Sequence, residues 1–173
     1  HKKSKAIQMN CGAKMASGDI LYFLHADSFP PPDFSDDIID AVKNGIHSGC
    51  YRLFFDHDHW FLKLNCWFTR FNINAFRFGD QSLFVMKKCF NDIGGFNEEL
   101  LLMEDQDIIS RIKSSYKFTI FKREITSSAR KYLDNGIFQL QVIFFILYIL
   151  YRLGYPQDYL IKLYRSWIIQ DKI

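Results

Sequence analysis

The sequence predicts an α/β domain, a mixed sheet flanked by helices, with a helical appendage at its C-terminal end. Three observations carry this. Short uninterrupted apolar runs occur at 20–24 (ILYFL) and within 82–86 (SLFVM), as expected of strands covered on both faces. Segments of helical periodicity lie between and around them. From Gly136 onward the pattern is continuously helical, broken at Gly154 and Pro156.

In chain order, residues 4–16 read as a helix, with Ala6, Met9, Ala13 and Ala16 at helical spacing and Gly18 ending it. The strand 20–24 follows. Phe29 to Pro32 forces an extended turn, because proline fixes φ and restricts the residue before it. Residues 33–44 form a second helix through Phe34, Ile38, Ile39 and Val42. A strand is expected at 50–55. Trp60, Phe61, Leu64, Trp67, Phe68 and Phe71 then describe an amphipathic helix. The strand 82–86, a short helix, the turn Gly94-Gly95, a helix over 105–115 and a strand over 117–122 complete the domain, placed at residues 1–135. Residues 136–173 form the appendage. Its run 142–151 (VIFFILYILY) is ten residues long and closed by Arg152. A spanning helix needs roughly 20, so the run reads as a docked amphipathic helix or as a peripheral membrane contact through its aromatics.

The 173 residues are 49% hydrophobic and 24% charged, with 18 Phe and 9 Tyr, which excludes a disordered or low-complexity chain. Basic and acidic side chains number 22 and 19, a net charge of +3, too weak a bias to predict nucleic acid as a partner. Cys11, Cys50, Cys66 and Cys89 lack C-x-x-C spacing, which argues against structural zinc and for free buried thiols in a reducing, cytoplasmic compartment. The chain starts with His and has no signal peptide, which suggests that its natural N-terminus is missing.

Charge is blocked along the sequence. Residues 1–16 carry Lys2, Lys3, Lys5 and Lys14 and no acid. Residues 19–40 carry six aspartates and no Lys or Arg, and 91–107 carry six further acids without a base. This reads either as solvated surface or as a site handling a cation and a phosphate together. Asp27, just past a buried strand, stands where open α/β sheets bind ligands, and a carboxylate there suits Mg²⁺ or Mn²⁺. Capping of the following turn is its plainer role. Asp105 opens a helix after Gly94-Gly95-Phe96, so the helix dipole favours its anion, a competent general base; helix capping is the alternative for it and Glu104. Asp80 and Gln81, in the loop Phe78-Gly79-Asp80-Gln81, suit hydroxyl recognition. Asp56-His57-Asp58-His59 has metal-binding residue types without ligand spacing and reads as a polar loop. Trp60, Trp67 and Phe71 read as core, with sugar stacking as the alternative. Tyr151, Tyr155, Tyr159 and Tyr164 read as interhelical packing or as a rim near a lipid or partner.

The ordered set Gln8-Met9-Asn10-Cys11-Gly12-Ala13, Gly18-Asp19, Leu24-His25-Ala26-Asp27, Gly79-Asp80-Gln81, Gly94-Gly95-Phe96, Met103-Glu104-Asp105 and Ser128-Ala129-Arg130 resembles a family 2 glycosyltransferase of the GT-A (Rossmann-like) fold. Within that family it is most like the bacterial subgroup associated with radical-SAM and selenium-domain proteins. The resemblance implies transfer of a sugar from a nucleotide-diphosphate sugar to a hydroxyl acceptor, sugar or lipid-linked, with inversion and a divalent metal. It implies Asp105 as general base and Asp27 as metal ligand. Lys5, Asn10, Asp19, His25, Asp27 and Arg130 fall on the donor side. Asp80, Gln81, Gly94, Gly95 and Glu104 fall on the acceptor side. His25 stands where the family's first DxD-type aspartate is usual. Where relatives supply a late histidine to the metal, this chain has Ser127-Ser128-Ala129-Arg130-Lys131, and Arg130 suits a diphosphate clamp. The family also opens with a strand and an Asn-Glu-bearing loop for the nucleotide base, absent from this sequence, so the segment alone is expected to bind donor poorly. The alternative is a non-catalytic nucleotide-sugar or glycan-binding relative; a third reading is a membrane-surface scaffold using the helix at 137–153.

Overall fold

A computed structural model describes residues 4–77 and 79–169. Lys2 and Lys3 of the basic lead-in and Phe78 lie outside the described residues. Helix α1 (Lys5–Met15) is capped by Ser4, whose hydroxyl accepts from Ile7 N at 3.2 Å, and it buries Ala6 and Ala13. Strand β1 (Ile20–Phe23) follows, then a two-residue strand β2 (Ser28–Phe29), helix α2 (Phe34–Lys43) and strand β3 (Ser48–Phe55). Helix α3 (Trp60–Phe68) leads through 3-10 turns at Asn74–Phe76 and Gly79–Gln81 into β4 (Leu83–Met86) and α4 (Lys87–Asp92). Helix α5 (Glu104–Ser115), strand β5 (Phe118–Ser127) and helices α6 (Arg130–Asn135), α7 (Ile137–Arg152) and α8 (Gln157–Trp167) complete the chain.

The sheet runs β1-β4-β3-β5-β2. Only β3 and β5 pair in parallel; the other neighbours are antiparallel. The mixed sheet expected from the apolar runs is therefore present. On one side α1 and α5 cover β1 and β4 through Ala6, Ala13, Leu21, Val85, Ile108 and Ile112. A second cluster joins β3, β5 and α3 through Tyr51, Leu53, Phe55, Leu62, Cys66 and Ile125. In a third, α7 and α8 pack by Leu140, Leu147, Leu160 and Tyr164, with Leu102 and Met103 from the approach to α5 against them.

Three elements differ from expectation. Strand β5 runs to Ser127, five residues beyond the predicted end: its charged middle, Lys122-Arg123-Glu124, is exposed, the register with β3 shifts after Ile120, and pairing resumes from Glu124 to Ser127. Residues Ser28 and Phe29, read as part of a turn, add to the edge of β5, opposite Ser127 and Thr126. Trp60, Trp67 and Phe71 are exposed rather than core: α3 turns Leu62 and Cys66 inward, at i and i+4, and leaves the bulkier aromatics on the opposite side. Cys50, Cys66 and Cys89 are free and buried as expected, whereas Cys11 is exposed.

The sheet is tightest at Gly49. A Cβ there would lie 2.6 Å from the Thr119 carbonyl oxygen and 2.7 Å from Phe84 Cε1, because β3 is hemmed by both neighbouring strands. Gly49→Ala should therefore destabilise the fold by about 1–3 kcal/mol or more, read as a lower urea midpoint at unchanged slope.

Candidate active site

A cleft of about 1070 Å³ opens along α1 and the outer edge of β1 and is closed by the start of α5 and by α6. Apolar side chains of α1 and β1, including Met9, Leu21 and Phe23, form one part. The other is charged: Lys5, His25, Asp27, Asp80, Asp105, Arg130, Lys131 and Asp134 line it. Residues separated by more than 100 positions thus converge, and the two carboxylates singled out from the sequence, Asp27 and Asp105, share one cavity.

Local structure explains the meeting. Past β1 the chain bends so that the Asp27 carbonyl accepts from Ser128 N at 3.2 Å, tying this loop to the end of β5. The Asp56 carboxylate accepts from Ala129 N at 2.7 Å, which holds the start of α6 and carries Arg130 to the rim. Asp58 pairs with Lys63 at 2.7 Å, and His59 Nδ1 accepts from Phe61 N. The Asp56–His59 stretch is thus a capping loop, as its polar reading anticipated.

On the opposite wall Gly79 is the contact point. A Cβ on it would collide with the Asp105 carboxylate and fall 2.7 Å from His25 Nε2. Its N–H donates to Asp105. The neighbouring Asp80 accepts from His25 Nδ1 at 3.1 Å. That bond raises the His25 pKa above 6.5, against burial, and leaves the ring cationic over a wider range. Burial pushes Asp80 up, but the His25 bond and the charges of His25 and Lys5 hold it below its ordinary value. Burial raises Asp105, outweighing the opposing charges of His25 and Lys5, so its helix-terminal position does not decide its titration alone. Burial and the adjacent Asp105 charge likewise raise Glu104.

Several sequence-predicted residues lie elsewhere. Asp19 precedes β1 while Asp27 follows it, so the two stand at opposite ends of a strand on the order of 13 Å long. The Asp19 carbonyl accepts from Lys87 N at 2.8 Å. Asn10 is a clip: its Nδ2 donates to the Phe96 carbonyl and its Oδ1 accepts from Phe96 N, each at 2.9 Å. Gly94 and Gly95, at φ 79° and 70°, shape the turn that this clip holds, and a Cβ on Gly95 would sit 2.8 Å from Asn10 Oδ1. That turn borders a separate shallow depression together with Asn10. Glu104 is 5% exposed and is not among the residues that line the cleft.

Gln81 is buried for a reason the sequence did not disclose. Arg77 is fully buried, with 0% exposure, and its guanidinium donates to the Thr69 and Phe71 carbonyls, to Gln81 Oε1 at 2.5 Å and to Cys50 Sγ at 3.3 Å. Gln81 Nε2 donates to the Phe76 carbonyl at 2.6 Å, and Gln106 Nε2 to the Arg77 carbonyl. No carboxylate pairs with Arg77 among the described residues. This network links the Gly79 turn to α5 one residue past Asp105. Arg77, Lys131 and Asp134 were the residues missed; a basic residue two positions before a glycine turn carries no signal of burial.

Among the described residues no group of three or more His, Cys, Asp or Glu side chains is arranged to hold a metal ion. Asp27 is exposed on the cleft wall, and its carboxylate has no hydrogen bond or ion pair among the described residues. It could supply one hard oxygen ligand to a divalent cation.

The His25–Asp80 pair sets a pH dependence. A raised folded-state pKa means that the stabilisation is complete below about 6.5 and is lost as pH rises through the folded value. Asp80→Asn removes the largest cause of the rise while burial remains. Its His25 ring resonances should titrate at lower pH than in the wild type when followed by NMR.

No curated protein shows significant similarity to the chain. Residues 1–91 match the family model described as glycosyl transferase family 2, a segment that includes His25, Asp27 and Asp80 and stops short of Asp105 and Arg130. The match spans more than half of the 173 residues, and the mixed sheet under its helices agrees with a GT-A-like domain. The chain belongs to glycosyl transferase family 2.

Proposed function

We propose that the chain transfers a sugar from a nucleotide-diphosphate sugar to a hydroxyl acceptor, with inversion and with a divalent cation at Asp27. Membership of the family supports glycosyl transfer in general. The observation that supports the finer reading is the shared cleft: one unpaired carboxylate at Asp27, the basic side chains Lys5, His25, Arg130 and Lys131, and the half-buried carboxylate of Asp105.

The cations bind the diphosphate. Lys5 gives it positive charge from one side, the His25 ring adds to it when protonated, and the Arg130 guanidinium offers paired donors from the rim. The Asp80 bond raises the His25 pKa and so favours the cation, which suits a phosphate contact. Asp27 would hold Mg²⁺ or Mn²⁺, which would neutralise charge on the departing diphosphate. Asp105 accepts the proton of the acceptor hydroxyl. That oxygen forms its bond to the anomeric carbon from the face opposite the donor bond, which breaks and leaves its electron pair on the diphosphate. Burial that raises Asp105 makes it a better proton acceptor than an ordinary surface aspartate. The Gly79 N–H holds its orientation.

Two substitutions test the assignment. Asp105→Asn should lower turnover by about 10²–10⁴-fold while nucleotide-diphosphate binding is kept; retained turnover refutes the base. Asp27→Ala should weaken nucleotide-diphosphate binding in the presence of Mn²⁺ and leave the metal-free affinity unchanged, measured by calorimetry. A wild-type chain that binds the donor in Mn²⁺ but neither transfers nor hydrolyses it supports the non-catalytic reading instead.

A further inference from the structure

Helix α7 is docked by one face only. Leu140, Ile143 and Leu147 are buried against α6 and α8, while Phe138, Val142, Phe145, Ile146, Ile149 and Leu153 form an exposed stripe along its opposite side. Leu153 is 70% exposed and Phe145 60%. Beside it, α3 exposes Trp60, at 65%, with Leu64 and Trp67 one and two turns on. The two helices meet: the Trp60 and Phe138 rings are 6.0 Å apart, and Asn65 Nδ2 donates to Gln141 Oε1 at 3.3 Å. Nine half-exposed large apolar side chains amount to on the order of 800 Å², above the few hundred Å² usual for the largest patch on a monomer.

Charge selects the occupant. No Asp or Glu occurs from residue 59 to 79 or from 135 to 157, the two segments that build this face. The charges they expose are Lys63, which pairs with the neighbouring Asp58 at 2.7 Å, and Arg70 and Arg152. Arg70 lies over the Trp67 ring at 4.7 Å, an aromatic–guanidinium pair at the rim of the patch. A second copy of the chain meeting this face about a two-fold axis would bring Arg70 and Arg152 against their own copies, with Asp58, already paired to Lys63, as the acid beside them. An anionic lipid surface supplies both the apolar layer and the opposite charge. Among the described residues no helix is long and apolar enough to cross a membrane, and a helix with one apolar face lies in the interface plane.

We propose that the α3–α7 face rests on an anionic membrane surface, with Trp60, Trp67 and Phe145 inserted and Arg70 and Arg152 at the headgroups. This does not rest on the proposed reaction. The test is flotation of the full chain with vesicles of phosphatidylcholine, with and without phosphatidylglycerol. The wild type should float with the anionic vesicles and be released as salt is raised. Phe145→Glu should lower the partition about tenfold or more. Its melting temperature should match the wild type, because the side chain is exposed. Arg70→Glu should reduce binding to anionic vesicles more than to neutral ones. Absence of flotation by the wild type, or flotation unaffected by Phe145→Glu, overturns the proposal. So does a lipid-free dimer that Phe145→Glu splits into monomers, which would show the face to be covered by a second copy.

Discussion

The backbone of Gly79 is wedged between the His25 ring and the Asp105 carboxylate, and the geometry of the cleft depends on that contact. A side chain there would force the two groups apart. Its absence lets one peptide N–H hold the carboxylate while the next residue, Asp80, holds the imidazole. The loop after β1 and the start of α5, 80 residues apart in sequence, are brought together by this turn rather than by any direct bond between them.

What keeps the turn in place is a buried cation. Arg77 satisfies carbonyls of the loop after α3 and the amide of Gln81, and its own carbonyl is fixed by Gln106. Taking a guanidinium out of water without a carboxylate partner is costly. The cost is offset by several charge-assisted bonds, each stronger than a neutral one. The network also gives the charged wall of the cleft a rigid backing, which is what a proton acceptor needs if it is to meet an acceptor hydroxyl within hydrogen-bond reach.

The C-terminal helices contribute to the same wall. Gln157, at the start of α8, accepts from the N–H groups of Leu101 and Leu102 at 3.1 Å, and Met103 packs into the α7–α8 cluster. Helix α5 begins directly after these residues, so the appendage steadies the segment that delivers Asp105. Helix α7 therefore has two roles on two faces, one inward toward this support and one outward as an apolar surface.

Most strands and helices, and the meeting of Asp27 and Asp105, were legible in the sequence, because apolar runs and helical spacing report local burial and because the ordered motifs resemble one family. Asp27 and Asp105 could be singled out by their positions, one after a buried strand and one opening a helix. Tertiary structure alone decided which polar neighbours reach the cleft. Asn10, Gln81 and Glu104 carry the same chemical groups as the lining residues, yet the fold turns them to a clip, a buried network and a covered wall. The outward aromatics of α3 were illegible for a related reason: periodicity locates an apolar face but does not say whether the rest of the chain covers it. Pairing, burial and exposure are set by contacts between distant segments, and a linear pattern does not contain those distances.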